Sequence, residues 1–289
     1  VSVLWGSGSI SGPSAASSFT PGFSGEYAVA AGDFSGDGID DLVIGGYIGS
    51  GDESGDQWGV GLLQSTGEGY GTPFTDLGVW GSGYGTYSVD LADMNGDGVL
   101  DVVTGDEGGG SGLAPGVSVL LAETTAGDGG GVATGNGQFD GFAAAETYRS
   151  DHNLNAAAIG DLNGDGFDDV ASVRYDPEAN LGYLDIRFSE ADGVLGGPTT
   201  YPAPHHVNDL VLADLNDDGR LDIVAVGEDY GGGQLFGEVW VYRNSDSTPG
   251  DLSGNGLVRI YGKPQAVTVT DVDGDGYGDI VTANEGGGR

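Results

Sequence analysis

Asp93-Met94-Asn95-Gly96-Asp97-Gly98-Val99-Leu100-Asp101 sets the plan of the chain, because its pattern returns four more times. Copies begin at Asp33 (DFSGDGIDD), Asp161 (DLNGDGFDD), Asp214 (DLNDDGRLD) and Asp271 (DVDGDGYGD), so successive loops start 60, 68, 53 and 57 residues apart. An apolar run follows each at once: LVIGG, VVTG, VASV, IVAV and IVTA in chain order. Units of this length suit four-stranded propeller blades, and an internal repeat argues for a single domain over residues 1–289.

The nine residues have the chemistry of a cation loop. A hard divalent ion such as Ca²⁺ takes six to eight oxygen ligands from a backbone that curls round it. Positions 1, 3 and 5 all carry side-chain oxygen: Asp33, Ser35 and Asp37; Asp93, Asn95 and Asp97; Asp161, Asn163 and Asp165; Asp214, Asn216 and Asp218; Asp271, Asp273 and Asp275. Position 6 is Gly38, Gly98, Gly166, Gly219 or Gly276, as a sharp turn requires. Position 7 varies (Ile39, Val99, Phe167, Arg220, Tyr277), so a shared role there falls to the backbone carbonyl. Position 9 is Asp41, Asp101, Asp169, Asp222 or Asp279. A helix-loop-helix calcium site wants Glu at position 12. Ile44, Thr104, Ser172, Ala225 and Thr282 stand there instead, so the loop closes a β-hairpin. The expected cofactor is Ca²⁺, one ion per loop and about five in all. Mg²⁺ prefers a smaller rigid octahedron and more of its own water.

The loops and the strands after them resemble the FG-GAP/VCBS repeats of integrin alpha-chain propellers and of many bacterial and archaeal surface proteins. Tyr27-Ala28-Val29-Ala30-Ala31-Gly32-Asp33 and Tyr84-Gly85-Thr86-Tyr87-Ser88-Val89 stand where that family has its Phe-Gly and Ala-Gly-Asp segments. Asp222-Ile223-Val224-Ala225-Val226 and Asp279-Ile280-Val281-Thr282-Ala283-Asn284 are closer to VCBS. The resemblance implies an all-β propeller with bound calcium. It leaves function open, since such propellers serve as adhesins, lectins, scaffolds and appendages of enzymes.

Composition narrows the partners. The formal charge is −37, from 45 acidic and 8 basic residues, and Lys263 is the single lysine. The proposed ligands use 16 of the acids, so the metal loops alone do not explain the acidity. A hydrated, self-repelling surface tolerant of salt is expected. Nucleic acid is excluded as a partner for want of a basic patch. Without cysteine, no disulfide staples the fold. No run of about 18 apolar residues spans a membrane. Val1 in place of Met, with no visible signal peptide, reads as a processed or trimmed chain.

Alternation before each loop predicts an innermost strand, and the unbroken apolar run after it predicts a strand covered on both faces. Third strands follow from Val60, Val117, Leu184 and Val239; fourth strands are weaker, around Pro73 to Val79 and Gly256 to Tyr261. The predicted blades are 25–83, 84–150, 151–203 and 204–261. A fifth has its inner strands in 262–289 and its outer strands in residues 1–24, which closes a five-bladed ring and removes exposed edges. The rival is part of a larger, or a degenerate seven-bladed, ring. Gly-rich stretches at Gly49 to Asp56, Glu107 to Gly116 and Gly127 to Gly137 read as surface loops.

Beyond the cations, chemistry is sparse. Gly6-Ser7-Gly8 and Gly81-Ser82-Gly83 lack the following helix that a nucleophile elbow needs. His152 and His205 stand nine residues before the first aspartate of their loops, and His206 eight. With Tyr27, Tyr87, Asn155, Asn208 and Gln265 they outline a polar and aromatic rim for a sugar or carboxylate. Trp58 and Trp80 are further ligand candidates, whereas Trp5 and Trp240 fall in strands and suit packing. The expected function is a secreted or cell-surface adhesion or assembly module without catalysis, its partner a protein, a glycan or another copy of itself. Alternatives are a glycan-binding lectin, a filament or surface-layer subunit, and a polysaccharide lyase-like enzyme. The last is disfavoured by the lack of a basic cluster to neutralise a uronate.

Overall fold

The computed structural model describes residues 2–5, 15–18, 25–48, 58–67, 74–108, 114–125, 138–229, 236–244 and 250–286. Among them regular structure is entirely β. The Gly-rich stretches 49–56 and 127–137, the segment Gly6-Ser7-Gly8 and part of 107–116 lie outside the described residues, as does the side chain of Trp5.

Four sheets have four strands each, and those whose ladders are resolved are antiparallel throughout. The first is β3 (Gly25–Gly32), β4 (Asp41–Tyr47), β5 (Trp58–Ser65) and β6 (Phe74–Gly81), hydrogen-bonded in that order. The second joins β7 (Thr86–Ala92), β8 (Asp101–Asp106), β9 (Gly116–Leu120) and, after an interruption, β12 (Glu146–Arg149). The third is β13 (Leu154–Gly160), β14 (Asp169–Asp176), β15 (Leu181–Arg187) and β16 (Thr199–Ala203). The fourth is β17 (His206–Ala213), β18 (Asp222–Asp229), β19 (Phe236–Asn244) and β20 (Leu252–Ile260). The interruption in the second sheet is an unforeseen hairpin of β10 (Ala122–Thr125) and β11 (Gln138–Phe142).

The chain ends depart from the expectation of one completed sheet. β1 (Ser2–Trp5) and β2 (Ala15–Ser18) ladder with each other, and β21 (Lys263–Thr270) and β22 (Asp279–Glu285) form a separate two-stranded sheet. The expected ladder across the termini is not formed among the described residues. At the start of β22, Ile280 and Val281 are 36% and 42% exposed, while Ile223 and Val224 at the same repeat position are at 0%.

Packing divides the chain into two compact units. The first comprises Val1–Leu91, Asp97–Leu113 and Val117–Thr147; the second Ala92–Gly96, Ala114–Gly116 and Tyr148–Arg289. In unit one Val43, Val60, Leu62, Val102 and Leu120 bury together, with Phe34 and Phe142 closing the cluster. In unit two Ala171, Val173, Leu184, Ile186, Ile223 and Ala225 do the same, capped by Leu162 and Tyr242. Each fully buried aliphatic side chain contributes about 1.5–3 kcal/mol relative to exposure. The strand after each of the first four loops is buried, as are third strands such as β9. β8 is buried throughout and β18 nearly so, whereas the strands before the loops, such as β3 and β13, are half-exposed. That is the alternation-then-run pattern expected from the sequence.

First strands share one irregularity. The ladder skips a residue at Tyr27 in β3, Asn155 in β13, Asn208 in β17 and Gln265 in β21, all six residues before a loop's first aspartate. A bulge re-aims the skipped side chain.

Candidate metal centre

Loops one, three, four and five are organised by their first carboxylate. Asp33 Oδ1 accepts the N–H groups of Gly36 and Asp37 at 2.7 and 3.1 Å, and its Oδ2 accepts that of Gly38 at 2.7 Å. Asp161 does the same with Gly164, Asp165 and Gly166, and Asp271 with Gly274, Asp275 and Gly276. In the fourth loop Asp214 takes Asn216, Asp218 and Gly219. To turn these N–H groups inward the backbone enters the left-handed region at positions 4 and 6, with φ of 77° and 92° at Gly164 and Gly166. Loop four has Asp217 at position 4, at φ 58°, a conformation that Asp and Asn tolerate better than other side chains.

Position 5 then fixes position 7. The N–H groups of Ile39, Val99, Phe167, Arg220 and Tyr277 donate to Oδ1 of Asp37, Asp97, Asp165, Asp218 and Asp275 at 2.8–3.0 Å. In loop four the Arg220 side chain also pairs with Asp218, Nη2 to Oδ2 at 3.0 Å. A cation there would compete with an arginine for one of its ligands.

In the first four loops position 9 is buried and has a second task. Asp41 Oδ2 accepts the N–H groups of Phe34 and Ser35, while its Oδ1 accepts Ser65 N–H at the end of β5, at 2.7 Å. Asp169 likewise joins Leu162 to Ser189 just beyond β15, Asp101 reaches Ala122, and Asp222 reaches Asn244. This aspartate thus ties the loop to the end of the third strand in loops one and four, to the residue just past it in loop three, and to the start of β10 in loop two. In loop five Asp279 holds Val272 N–H, and β22 has no third strand beside it among the described residues. Sequence spacing marks these aspartates as ligands but cannot show the tie, which depends on a strand about 20 to 24 residues away.

The charges bear on the fit to a cation. Burial raises Asp41 and Asp222, and pushes Asp169 up to about 6; Asp37, Asp218 and Asp165 respectively add to the rise as nearby negative charges. Asp271 is instead held low, chiefly by the Gly276 and Gly274 N–H groups, so it stays ionised. Carboxylate oxygens of Asp271, Asp273 and Asp275 lie within 4.8 Å of one another. The Asp222 carboxylate faces the backbone N–H groups of Asn244 and Leu215, which offset part of the rise caused by burial. Converging ionised oxygens and a donor set made only of oxygen fit a hard divalent ion.

The remaining site candidates separate. All three histidines belong to unit two, at the ends of its strands away from the acidic loops. His152 Nε2 lies 3.4 Å from Asp176 and His205 Nδ1 3.8 Å from Asp229, the same pair one repeat apart. His206 stacks on Tyr175 with centroids 4.1 Å apart. No group of three His, Cys, Asp or Glu ligands other than that of loop five converges among the described residues. Asn155 and Asn208 donate to backbone carbonyls, and Gln265 Nε2 lies 3.4 Å from Glu228 Oε1. In unit one Trp80 packs edge-on against Phe139 and Phe142 in the core. Trp58 stands instead among tyrosines that include Tyr27 and Tyr87.

No helix among the described residues is long and apolar enough to cross a membrane. A comparison with curated proteins returns no match. Residues 214–282, from the first aspartate of loop four into β22, match the FG-GAP-like repeat family, and the chain is thus one that contains an FG-GAP-like repeat.

Proposed function

We propose that this chain is a calcium-stabilised, propeller-like module with one blade per repeat, acting outside the cell in adhesion or assembly and without catalysis. The observation that carries the reading is the recurrence of one loop geometry in which backbone N–H groups orient the first carboxylate and a buried aspartate ties the loop to its sheet. The FG-GAP-like match supports a propeller-like, adhesion-type module. In this reading positions 1, 3, 5 and 9 and the backbone at position 7 hold Ca²⁺, which supplies charge neutralisation and cross-links the hairpin. The protein's residues orient the oxygens and transmit the constraint through the position 9 aspartates to the ends of the third strands or just past them. Extracellular calcium modules bind at roughly 10⁻⁴ to 10⁻³ M, so such sites fill outside the cell and stay largely empty in cytosol. Filled sites stabilise only the folded state, by about 1.4 kcal/mol per site at a tenfold excess over Kd. Thermal melts in millimolar Ca²⁺ and in excess chelator test this: a sharp fall in Tm on chelation is expected, and an identical melt removes structural calcium. The partner is a protein or glycan at a cell surface, or a second copy. Polymerisation of the purified chain on addition of Ca²⁺ would select the filament form of this reading.

A further inference from the structure

Trp58 and four tyrosines gather where the strands of unit one end away from the acidic loops. Ring centroids of Tyr27, Tyr47, Tyr84 and Tyr87 lie 5.5, 5.5, 5.6 and 5.9 Å from that of Trp58, and Tyr27 and Tyr87 lie 4.9 Å from each other. Rings placed only for packing would be covered, yet Tyr27 is 54% and Tyr87 46% exposed. Both are held in place. Tyr27 is the skipped residue of a bulge, and its ring lies over Gly25, where a Cβ would come within 3.2 Å of it. The Tyr87 ring lies 3.5 Å from where a Cβ of Gly85 would stand, and its hydroxyl is hydrogen-bonded with the Glu107 carboxylate. In unit two the same repeat position holds Asn155 and Asn208, whose side chains are consumed by backbone carbonyls. The tyrosines of unit one are spared that task.

The geometry points to a glycan platform: the C–H face of a pyranose from a neutral glycan stacks on Tyr27 and Tyr87, with Glu107 accepting from sugar hydroxyls. This rests on the binding-module reading and names its ligand class. The rings fix the choice. A cation held between rings needs a face on either side of it within about 6 Å of each centroid, but Trp58 stands 5.5–5.9 Å from each tyrosine and Tyr27 4.9 Å from Tyr87, ring-to-ring contact that leaves the exposed surfaces of Tyr27 and Tyr87 for a ligand. Uronates and sialic acids are disfavoured by the net charge of −37.

Affinity electrophoresis in calcium buffer through mannan, galactan and β-glucan, with alginate and tetramethylammonium as comparison probes, tests the assignment. Retardation by at least one neutral glycan is expected, with Tyr27→Ala/Tyr87→Ala weakening it roughly tenfold or more. Tyr27→Phe/Tyr87→Phe, which keeps the faces, retains most of the binding, and Tyr175→Ala in unit two leaves it unchanged. Retardation by none of the three glycans, unchanged binding in the double alanine variant, or release by tetramethylammonium overturns the proposal. The chelator melt is read on the same samples, so loss of the platform and loss of the calcium reading are separable.

Discussion

Asn155 Nδ2 donates to Val207 O at 2.5 Å, and one repeat later Asn208 Nδ2 donates to Pro264 O at 2.8 Å. Each asparagine is the extra residue of a bulge in the first strand of its sheet, and each reaches the first strand of the next repeat. The bulge supplies the aim and the amide supplies the bond. Asn155→Ala and Asn208→Ala each leave a carbonyl short of a donor, at a cost of about 1–2 kcal/mol. Urea denaturation of the two variants should give similar losses, since the positions are equivalent; a loss at one site alone would deny the equivalence.

The two kinds of loop aspartate should respond differently to calcium. Asp169→Ala strands the buried N–H groups of Leu162 and Ser189, each costing about 1–3 kcal/mol, with or without the ion. Asp165→Ala removes an exposed proposed ligand and should destabilise mainly in Ca²⁺. Unfolding curves of both variants with calcium and with chelator give the comparison.

Backbone strain in the loops can be isolated because at Gly166 and Gly276 an added Cβ meets nothing within 4 Å. Gly166→Ala at φ 92° should therefore cost roughly 1–2 kcal/mol from the left-handed backbone alone. Asp217→Gly, at φ 58°, should be neutral or mildly stabilising in chelator. Chemical denaturation without calcium checks both signs.

Competition in loop four is also measurable. Arg220→Val frees Asp218 from its ion pair and should tighten calcium binding at that loop by a factor of about two to five. Calorimetric titration of wild type and variant would show one class of site strengthening while the rest stay fixed.

Asp106 gives a pH signature independent of the loops. It is fully buried among Ser118, Thr104 and Thr86, whose hydroxyls donate to it at 2.6, 3.1 and 3.2 Å. Desolvation outweighs those bonds and pushes its carboxyl up to about 6. The folded state therefore holds this proton more tightly than the unfolded chain, so the contribution is fully favourable below the unfolded value near 3.8 and is lost as pH rises through about 6. The span is on the order of 3 kcal/mol. Asp106→Asn abolishes the titration, so wild-type stability minus variant stability should fall between pH 4 and 7. A flat difference would mean the carboxylate is not desolvated.

Much of the architecture was legible because it repeats. The apolar runs after each loop became β4, β8, β14, β18 and β22, and the segments from Val60, Val117, Leu184 and Val239 fell within the third strands. Side-chain period and turn chemistry are local signals, and five copies reinforce them. What was missed depends on partners distant in sequence. The β10–β11 hairpin has short strands separated by the Gly-rich stretch, so no periodicity announces it. The Asp106 network assembles from three strands, and the position 9 ties need the register of a third strand before they exist. Tyr27, Tyr87, Asn155, Asn208 and Gln265 stood out as one set in the sequence, but only the ladder shows that four of them are skipped by it, and only the contacts show that the asparagines staple while the tyrosines remain exposed.

Equilibrium dialysis of the purified chain at millimolar free Ca²⁺, with bound metal counted by elemental analysis, tests the central claim most directly. One ion per acidic loop, about five per chain, is the predicted result, with Asp271→Ala lowering the count by one. A chain that retains no calcium above the dialysis buffer would contradict the account.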